Sequence, residues 1–428
     1  MTQDIRPNLL KATNEDTSGP YFPIYFQDES LKDLTVLGPG IVGGPRGQHI
    51  ILSGRVLDRH GDLANGVLME FWQANSKGIY NSPANAGHSD LDPWFNGYGR
   101  LRSASGEYKF RTIMPGASDK RAPNITITLF SDGISRIVTQ VFFEGQKANE
   151  TDPVLQPLDS EDQARLIARH GGRTVDGAEV YQLDIIMAGA NETPFLMISR
   201  AERTREMTKF GRQLGIGPTD NTSDQRTPRK PLRLIPNGAR ESFVPVVPAS
   251  YATRPHEWDM TRIAPDRPRG DGTPIEVTGT LRNENGTPIR DALIEIWNAN
   301  HHGRYRHVED ASGLPLDDNF FGMGRVVTDE NGNYRFWTIS PGAYLARPDI
   351  GRWRPKHIHL SVSGGSARLI TQMYFSNEPN NASDPMAILM GDRFESNIGK
   401  PYETPDADVD EGYRFDIVVG GRNATFFE

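Results

Sequence analysis

The sequence predicts an all-β protein built as two homologous β-sandwich domains, and three observations carry that expectation. The 428-residue chain holds 43 glycines and 31 prolines and has few long apolar helical patterns, the balance of a turn-rich β protein. Short apolar–polar alternations recur from His49 onward, as in His49-Ile-Ile-Leu-Ser-Gly-Arg-Val-Leu-Asp58 and Gly66-Val-Leu-Met-Glu-Phe-Trp72, separated by turn residues such as His60-Gly61-Asp62. The pattern is also written twice. Gly54, Gly61, Trp72, Asn75, Gly78 and Tyr80 recur as Gly279, Gly286, Trp297, Asn300, Gly303 and Tyr305, each 225 positions later. Gln140-Val-Phe-Phe143 recurs as Gln372-Met-Tyr-Phe375, and Tyr181-Gln-Leu-Asp-Ile185 as Tyr413-Arg-Phe-Asp-Ile417, 232 positions later.

Residues 1–198 form the first expected domain, which opens on a polar arm and on Thr17-Ser-Gly-Pro-Tyr-Phe-Pro23, a turn by composition. Residues 199–255 read as a linker: they are rich in Arg, Thr and Pro, as in Arg226-Thr-Pro-Arg-Lys-Pro-Leu-Arg233, and show no periodicity. So long a segment is expected to drape over the other half as a solvated arm. Residues 256–428 form the second domain. With 36% hydrophobic and 24% charged residues, the chain has the composition of a soluble protein able to fill two sizeable cores. A net charge of −8 argues against a phosphate-backbone binder, so nucleic acid is not an expected partner. The absence of cysteine excludes disulfides and thiolate metal sites. Met1-Thr-Gln-Asp-Ile-Arg-Pro7 has no apolar signal-peptide core, and no stretch nears the roughly 18 apolar residues of a membrane span. A cytoplasmic location and no membrane partner are therefore expected.

Chemistry concentrates between Tyr344 and His359. His357 and His359 lie two residues apart in the strand-like run Lys356-His-Ile-His-Leu-Ser-Val-Ser363, so both imidazoles project from one face and can grip one metal ion. A lone His-x-His is equally a chance pair on a surface strand. Two tyrosines add donors: Tyr344 follows the turn Pro341-Gly-Ala343, and Tyr305 sits in the glycine-punctuated His302-Gly-Arg-Tyr-Arg-His307. A phenol ionises near pH 10 in water, so two tyrosinates at neutral pH require a strongly Lewis-acidic centre, for which ferric iron is the leading candidate. No carboxylate stands between the histidines, which weakens the case for zinc or another divalent ion. A divalent site using the two histidines alone remains a rival.

Further motifs surround these residues: Ile296-Trp-Asn-Ala-Asn300, Gly303-Arg-Tyr-Arg-His307, Phe321-Gly-Met-Gly-Arg325, Pro341-Gly-Ala-Tyr344, Trp353-Arg-Pro-Lys-His-Ile-His359 and Leu369-Ile-Thr-Gln-Met-Tyr-Phe375. On these motifs the second half resembles the intradiol ring-cleavage dioxygenases, and most closely the protocatechuate 3,4-dioxygenases. The resemblance implies one Fe(III) per chain, held by Tyr305, Tyr344, His357 and His359, and dioxygen-dependent opening of a catechol to a cis,cis-muconate. It implies catalytic roles for Tyr344, Arg354 and Gln372, and substrate contacts from Gly19, Pro20, Tyr21, Tyr251, Trp297 and Arg354. In that family an iron-free α subunit and an iron-bearing β subunit share a pocket, and the α subunit walls it with a Thr-x-Gly-Pro-Tyr segment like Thr17–Tyr21. The resemblance implies that the two are fused here in that order, and a homo-oligomer is expected.

Plainer readings stand beside these. Gln372 recurs as Gln140 and could be structural, and Arg354 could be a strand-edge ion pair. Trp297 and Trp353 are expected in the core or the pocket wall, with Trp72 echoing Trp297, while His301, His302 and His307 are expected to face solvent.

Between the copies only Tyr80 repeats a ligand. Ser118 stands where Tyr344 does, Asn124 where His357 does and Thr126 where His359 does, so the first copy is expected to hold no iron and to buttress the site. Two departures bear on the substrate. Ala346 replaces a tryptophan usual in relatives that act on protocatechuate, and Asp132 stands where the iron-free subunit tends to carry an arginine. A protocatechuate-like catechol giving a 3-carboxymuconate is the expected substrate. The alternatives are 4-sulfocatechol, hydroxyquinol, a pyrogallol-type phenol and catechol itself. A non-catalytic β-sandwich binding protein is the rival from another class.

Overall fold

The computed structural model describes residues 10–19, 21–26, 31–36, 43–118, 120–131, 134–197, 225–230, 232–236, 240–243, 245–247, 251, 255–347, 351–364 and 367–419. These fall into two compact units, one within residues 24–197 and 225–247 and the other within residues 10–23 and 251–419.

The strands of the first unit are β1 (His49–Leu57), β2 (Val67–Gln73), β3 (Tyr98–Ser103), β4 (Glu107–Ile113), β5 (Asn124–Ser131), β6 (Ile134–Phe143), β7 (Ile167–Arg173), β8 (Glu179–Gln182), β9 (Ile185–Ile186), β10 (Leu196–Met197) and β11 (Arg233–Leu234). Those of the second are β12 (Pro274–Asn283), β13 (Leu293–Trp297), β14 (Met323–Val327), β15 (Asn333–Ile339), β16 (Tyr344–Arg347), β17 (Arg352–Arg354), β18 (His357–Gly364), β19 (Ala367–Phe375), β20 (Ile398–Tyr402), β21 (Glu411–Arg414) and β22 (Ile417–Val419). Hydrogen bonding runs β3-β2-β5-β6-β7-β8-β1-β4 in the first unit and β14-β13-β18-β19-β20-β21-β12-β15 in the second. The duplication read from the sequence is thus matched strand for strand, and the all-β expectation holds. β16 and β17 form a separate two-stranded ribbon.

Each unit folds its strands into two layers over an apolar core. In the first, Ile50, Leu52 and Val56 of β1 and Phe110 of β4 meet Met69 and Phe71 of β2 and Ile125 and Ile127 of β5. In the second, Val277, Leu281 and Phe336 meet Ile294, Ile296, Ile358, Leu360 and Val362. Each such side chain contributes roughly 1.5–3 kcal/mol by leaving water. Strand alternation then forces the neighbouring residues onto the outer face: Asn124, Thr126 and Thr128 on β5, and His357, His359 and Ser361 on β18. One repeated glycine has a plain cause. A Cβ on Gly54 would lie 1.8 Å from the Leu183 carbonyl oxygen, and one on Gly279 would lie 1.9 Å from that of Phe415.

All eight residues of β18 are buried, so its outer face must also be covered. The N-terminal arm does this. Thr13 and Asp16 donate their amides to the carbonyls of Val418 (3.0 Å) and Ile370 (2.8 Å), and Thr371 Oγ1 donates to the Asn14 carbonyl at 2.6 Å. Asn14 Nδ2 donates to Asn397 Oδ1 at 2.8 Å. Residues 10–23, expected with the first domain, therefore lie on the second unit, because their backbone completes hydrogen bonds there. The described residues of the expected linker from 225 to 247 lie on the first unit, where Arg233 donates its amide to the Phe195 carbonyl at 3.0 Å and Arg121 Nη1 donates to Ser242 Oγ at 2.9 Å, whereas Tyr251 and Pro255 belong to the second. Among the described residues no helix is long and apolar enough to cross a membrane.

Candidate metal centre

β18 opens on His357 and is paired on both sides. His359 faces Trp297 of β13 and Gln372 of β19, and His357 faces Tyr374 of β19. Tyr305 follows a turn in which Asn300 accepts the Gly303 amide through its carbonyl at 2.9 Å and the Arg304 amide through Oδ1 at 2.9 Å. Gly303 has φ 88°, and a Cβ there would sit 2.3 Å from the Ala343 carbonyl oxygen, so glycine is required to bring this turn against the one before Tyr344. The Tyr305 amide is then held by Asp310 Oδ2 at 2.7 Å. Tyr344 begins β16 and pairs with Arg354 of β17, which places both beside the histidines.

Three potential donor atoms converge. His357 Nε2 lies 3.1 Å from His359 Nε2 and 3.4 Å from Tyr305 Oη. Donors bound about 2 Å from one ion at right angles are themselves about 3 Å apart, so these separations fit edges of a single coordination sphere. The Tyr344 ring centroid is 5.5 Å from that of Tyr305 and 5.8 Å from that of His357. His357 Nδ1 lies 2.6 Å from the Pro355 carbonyl, which can only accept, so Nδ1 carries the proton and the Nε2 lone pair faces the other donors. His359 Nδ1 is buried with no hydrogen-bond partner among the described residues.

Electrostatics favour the same reading. Burial, reinforced by the Arg354 charge, holds His357 well below the usual imidazole value, and burial followed by His357 does the same for His359, so both are neutral as ligands must be. Burial and the neighbouring Tyr344 push the Tyr305 phenol well above its usual value, and only a strong cation beside it would favour the phenolate. Among the described residues no three His, Asp or Glu cluster into a metal-holding group. The available donors are therefore two imidazoles and two phenols, a set that fits a trivalent ion.

Arg354 stands next to this set. Its Nε donates to Asp384 Oδ2 at 2.7 Å, and its Nη2 donates to Gln372 Oε1 at 2.7 Å and to Tyr374 Oη at 3.0 Å. Burial opposes its charge, but Asp384, Tyr374, Tyr344 and Asp16 outweigh it and hold the guanidinium well above its usual value. Asp384 Oδ1 meanwhile caps the short helix Pro385–Met390 through the Met386 amide at 2.6 Å, which anchors the ion pair.

Of the expected substrate contacts, Gly19 and Tyr21 reach the donor set. Gly19 has φ 65°, and a Cβ on it would lie 3.2 Å from His359 Cε1. The Tyr21 ring is 4.8 Å from Tyr305 and 6.2 Å from Tyr344. Pro20 and Asp132 lie outside the described residues. Trp297 is buried and stacks on His359 at 4.7 Å with the planes 5° apart, so it packs a ligand ring. Tyr251 is not brought to the donors: its hydroxyl donates to Glu295 Oε1 at 3.0 Å and Arg325 covers its ring, further along the same face. Trp353, expected in the core or pocket wall, is 46% exposed, because its partner across the ribbon is only the half-buried Leu345. His302 is exposed, whereas His301 and His307 are half-buried, and the His307 ring lies 5.7 Å from Tyr21.

The first unit shows what replaces the donors. By register Asn124 and Thr126 of β5 stand opposite Phe142 and Gln140, as His357 and His359 stand opposite Tyr374 and Gln372. Ser118 bridges Arg121 as Tyr344 pairs with Arg354. Here the polar groups satisfy one another: Gln140 Nε2 donates to Asn124 Oδ1 at 3.1 Å and to Thr126 Oγ1 at 2.9 Å, and Thr126 Oγ1 donates to the Ser242 carbonyl. The linker thus closes the equivalent position with Ser242 and Phe243.

Asp16, Asp310, Tyr374 and Asp384 were missed from the sequence. Asp384 was signalled by its repeat Asp152, and Tyr374 by its replacement with Phe142 in the other copy. Asp16 had no signal beyond standing in an arm next to Thr17.

A family described as Dioxygenase matches residues 18–189 and 247–421. The β chain of protocatechuate 3,4-dioxygenase from Burkholderia cepacia is 40% identical over 221 residues, 50% of this chain and 92% of that one. The α chain from Pseudomonas putida is 32% identical over 201 residues, 44% of this chain and 96% of that one. A solved structure of catechol 1,2-dioxygenase from Acinetobacter sp. ADP1, inhibited by bound mercury, is 29% identical and covers 37% of this chain and 55% of that one at a TM-score of 0.30.

Proposed function

Because the chain belongs to the intradiol ring-cleaving dioxygenase family, with α-like and β-like halves in one polypeptide, we propose that it opens a substituted catechol between its two oxygen-bearing carbons using one ferric ion per chain. The observation that carries this reading is that Tyr305 Oη and His359 Nε2 lie 3.4 Å and 3.1 Å from His357 Nε2, with Tyr344 alongside. When bound, Fe(III) would supply the Lewis acidity that ionises phenols and a catechol at neutral pH and makes the ring reactive to dioxygen.

Each side chain then has a defined task. Tyr305, Tyr344, His357 and His359 would hold the ion, with His357 fixed by the Pro355 carbonyl. Tyr344, ionised only where it helps hold the ion, would take back a proton from the catechol as the substrate binds. The Arg354 guanidinium, buried and held by Asp384, stabilises negative charge that develops on the ring, as a fixed cation in a dry site does. Gln372 Oε1 orients that guanidinium. Its repeat in the first unit, where Arg121 Nη2 donates to Gln140 Oε1 at 2.5 Å, supports a structural share in that role. Gly19, Tyr21 and Trp297 pack the donor rings and exclude water.

For the substrate we favour a protocatechuate-like catechol, on the likeness of both halves to chains of that name. Ala346 and Asp132 favour a second reading, in which the ring carries another substituent or none; 4-sulfocatechol, hydroxyquinol, pyrogallol-type phenols and catechol are the candidates. Oxygen uptake against this panel decides between them. Tyrosinate-to-iron charge transfer should colour the pure protein red-brown. A colourless protein that takes up no oxygen with any of them would instead be a binding module or a divalent-metal enzyme. We further propose that the first unit holds no metal and that the active form is a homo-oligomer in the cytoplasm.

A further inference from the structure

The duplication supplies an internal control for the groups around Arg354. In both units an arginine gives Nε to an aspartate and Nη2 to a glutamine: Arg354 to Asp384 and Gln372 in the second, Arg121 to Asp152 and Gln140 in the first. This triad persists where the histidines are absent, so it needs no metal to be retained. The second unit adds two groups to it. Tyr374 stands where the first has Phe142, and the arm brings Asp16 to the Tyr374 hydroxyl, whereas the linker of the first brings Ser242 to Arg121 and Gln140.

Counting hydrogens shows what the additions do. Tyr374 Oη is 3.1 Å from Asp16 Oδ2, 2.9 Å from Gln372 Oε1 and 3.0 Å from Arg354 Nη2. Its single hydrogen can serve only one of the two acceptors. Asp16 Oδ1 is occupied by the Thr17 amide at 2.6 Å, and an ionised carboxylate can only accept, so Oδ2 draws the phenolic hydrogen. Gln372 Oε1 and Tyr374 Oη are then both free to accept the two hydrogens of Arg354 Nη2.

We propose that Asp16 is a positioning residue for ring cleavage: by turning the Tyr374 hydroxyl toward the arm, it leaves two acceptors for Arg354 Nη2 and fixes the guanidinium beside the substrate. This rests on the catechol-cleaving function proposed above. An amide or a protonated carboxyl at position 16 reverses the arrangement. It donates to Tyr374, which passes its hydrogen to Gln372 Oε1 in competition with Arg354. Among the described residues the charged and titratable groups that act on Asp16 are Arg354 from β17, Tyr374 from β19 and Asp384 ahead of the Pro385–Met390 helix; Glu15 adjoins it only in the chain. Burial pushes the Asp16 carboxyl up to about 6, against the opposing pull of Arg354 and the Thr17 amide, so the reversal sets in just below neutral pH.

The test compares full-length, iron-loaded wild type with Asp16→Asn, Tyr374→Phe and the double variant, with catechol as the probe. Each single change is expected to lower kcat by about tenfold with KM within about twofold, and the double variant to be no slower than the slower single one. Iron content and visible colour should be unchanged, and the melting temperature of Asp16→Asn not lowered. Wild-type kcat should fall below about pH 6 toward the Asp16→Asn rate, and Asp16→Asn should lack that step. Wild-type kcat in Asp16→Asn, multiplying losses in the double variant, or iron loss in step with activity would each overturn the inference. Should the wild-type protein itself consume no oxygen with any catechol, the functional reading and this inference fall together. Active wild type beside indifferent variants sinks the inference alone.

Discussion

A buried phenol and a buried neutral imidazole are both content without a metal, so the ligand assignment stands or falls on single side chains. Tyr344→Phe or His357→Ala should abolish oxygen uptake with catechols while leaving the melting temperature near that of the parent; full activity in either would refute the assignment. Asp16 makes a separate statement about stability. Its carboxyl is pushed from 3.8 up to about 6, so the folded chain binds that proton more tightly than the unfolded one. The stabilisation is complete below about pH 4, declines as pH rises toward 6 and is absent above it; the shift corresponds to at most about 3 kcal/mol. Asp16→Asn should therefore melt above wild type at pH 8 and show no such gain at pH 4, a difference that thermal denaturation at the two pH values would read. A residue that costs stability at neutral pH is one the fold did not need.

How much of the site was legible in the sequence follows the same scale. His357, His359, Tyr305 and Tyr344 could be read because a strand sets the spacing of the first two and glycine turns mark the others. Asp16 could not, since it meets Arg354 across 338 positions only through Tyr374, a contact that no local pattern encodes, and Asp384, 30 positions from Arg354, was marked only by its repeat Asp152. Trp353 misled because a tryptophan beside a ligand run reads as wall, yet a two-stranded ribbon offers it too little to pack on.

At the level of elements, the arm and the linker play matching parts on the two outer sheet faces. The arm is held by Asn14, whose Nδ2 bonds Asn397 Oδ1, Ser396 Oγ and the Arg393 carbonyl. Asn14→Ala should destabilise the protein by about 1–3 kcal/mol, measured by urea denaturation, and should lower iron retention as β18 becomes solvated. No change in either would mean the arm is dispensable. Gly19→Ala should be costly too, since φ 65° disfavours a side chain and the Cβ would press on His359 at 3.2 Å. The strand path itself was readable from alternation and repeats. The placement of the arm was not, because position in the sequence suggests the first unit whereas unpaired donors on Thr13 and Asp16 find their acceptors on the second.

At the level of the molecule, duplication followed by divergence leaves two sandwiches with the same topology and different outer faces. In the first, Gln140 bonds Asn124, Thr126 and Ser242 among the described residues, an arrangement that favours a unit without an ion. Metal analysis of the purified protein should return one iron per chain, and Asn124→Ala should leave that ratio unchanged. Two irons per chain would show that the first unit is not silent.

The docking of the arm has a temporal consequence. Asn14 emerges from the ribosome 357 residues ahead of Thr371, the side chain that seizes its carbonyl. At 5–20 residues per second that is a delay of roughly 20–70 s, during which the leading segment has nowhere to settle. Closure over the histidines thereby becomes a late event in the life of each nascent chain, and a prematurely terminated product could never seal its own reactive chamber.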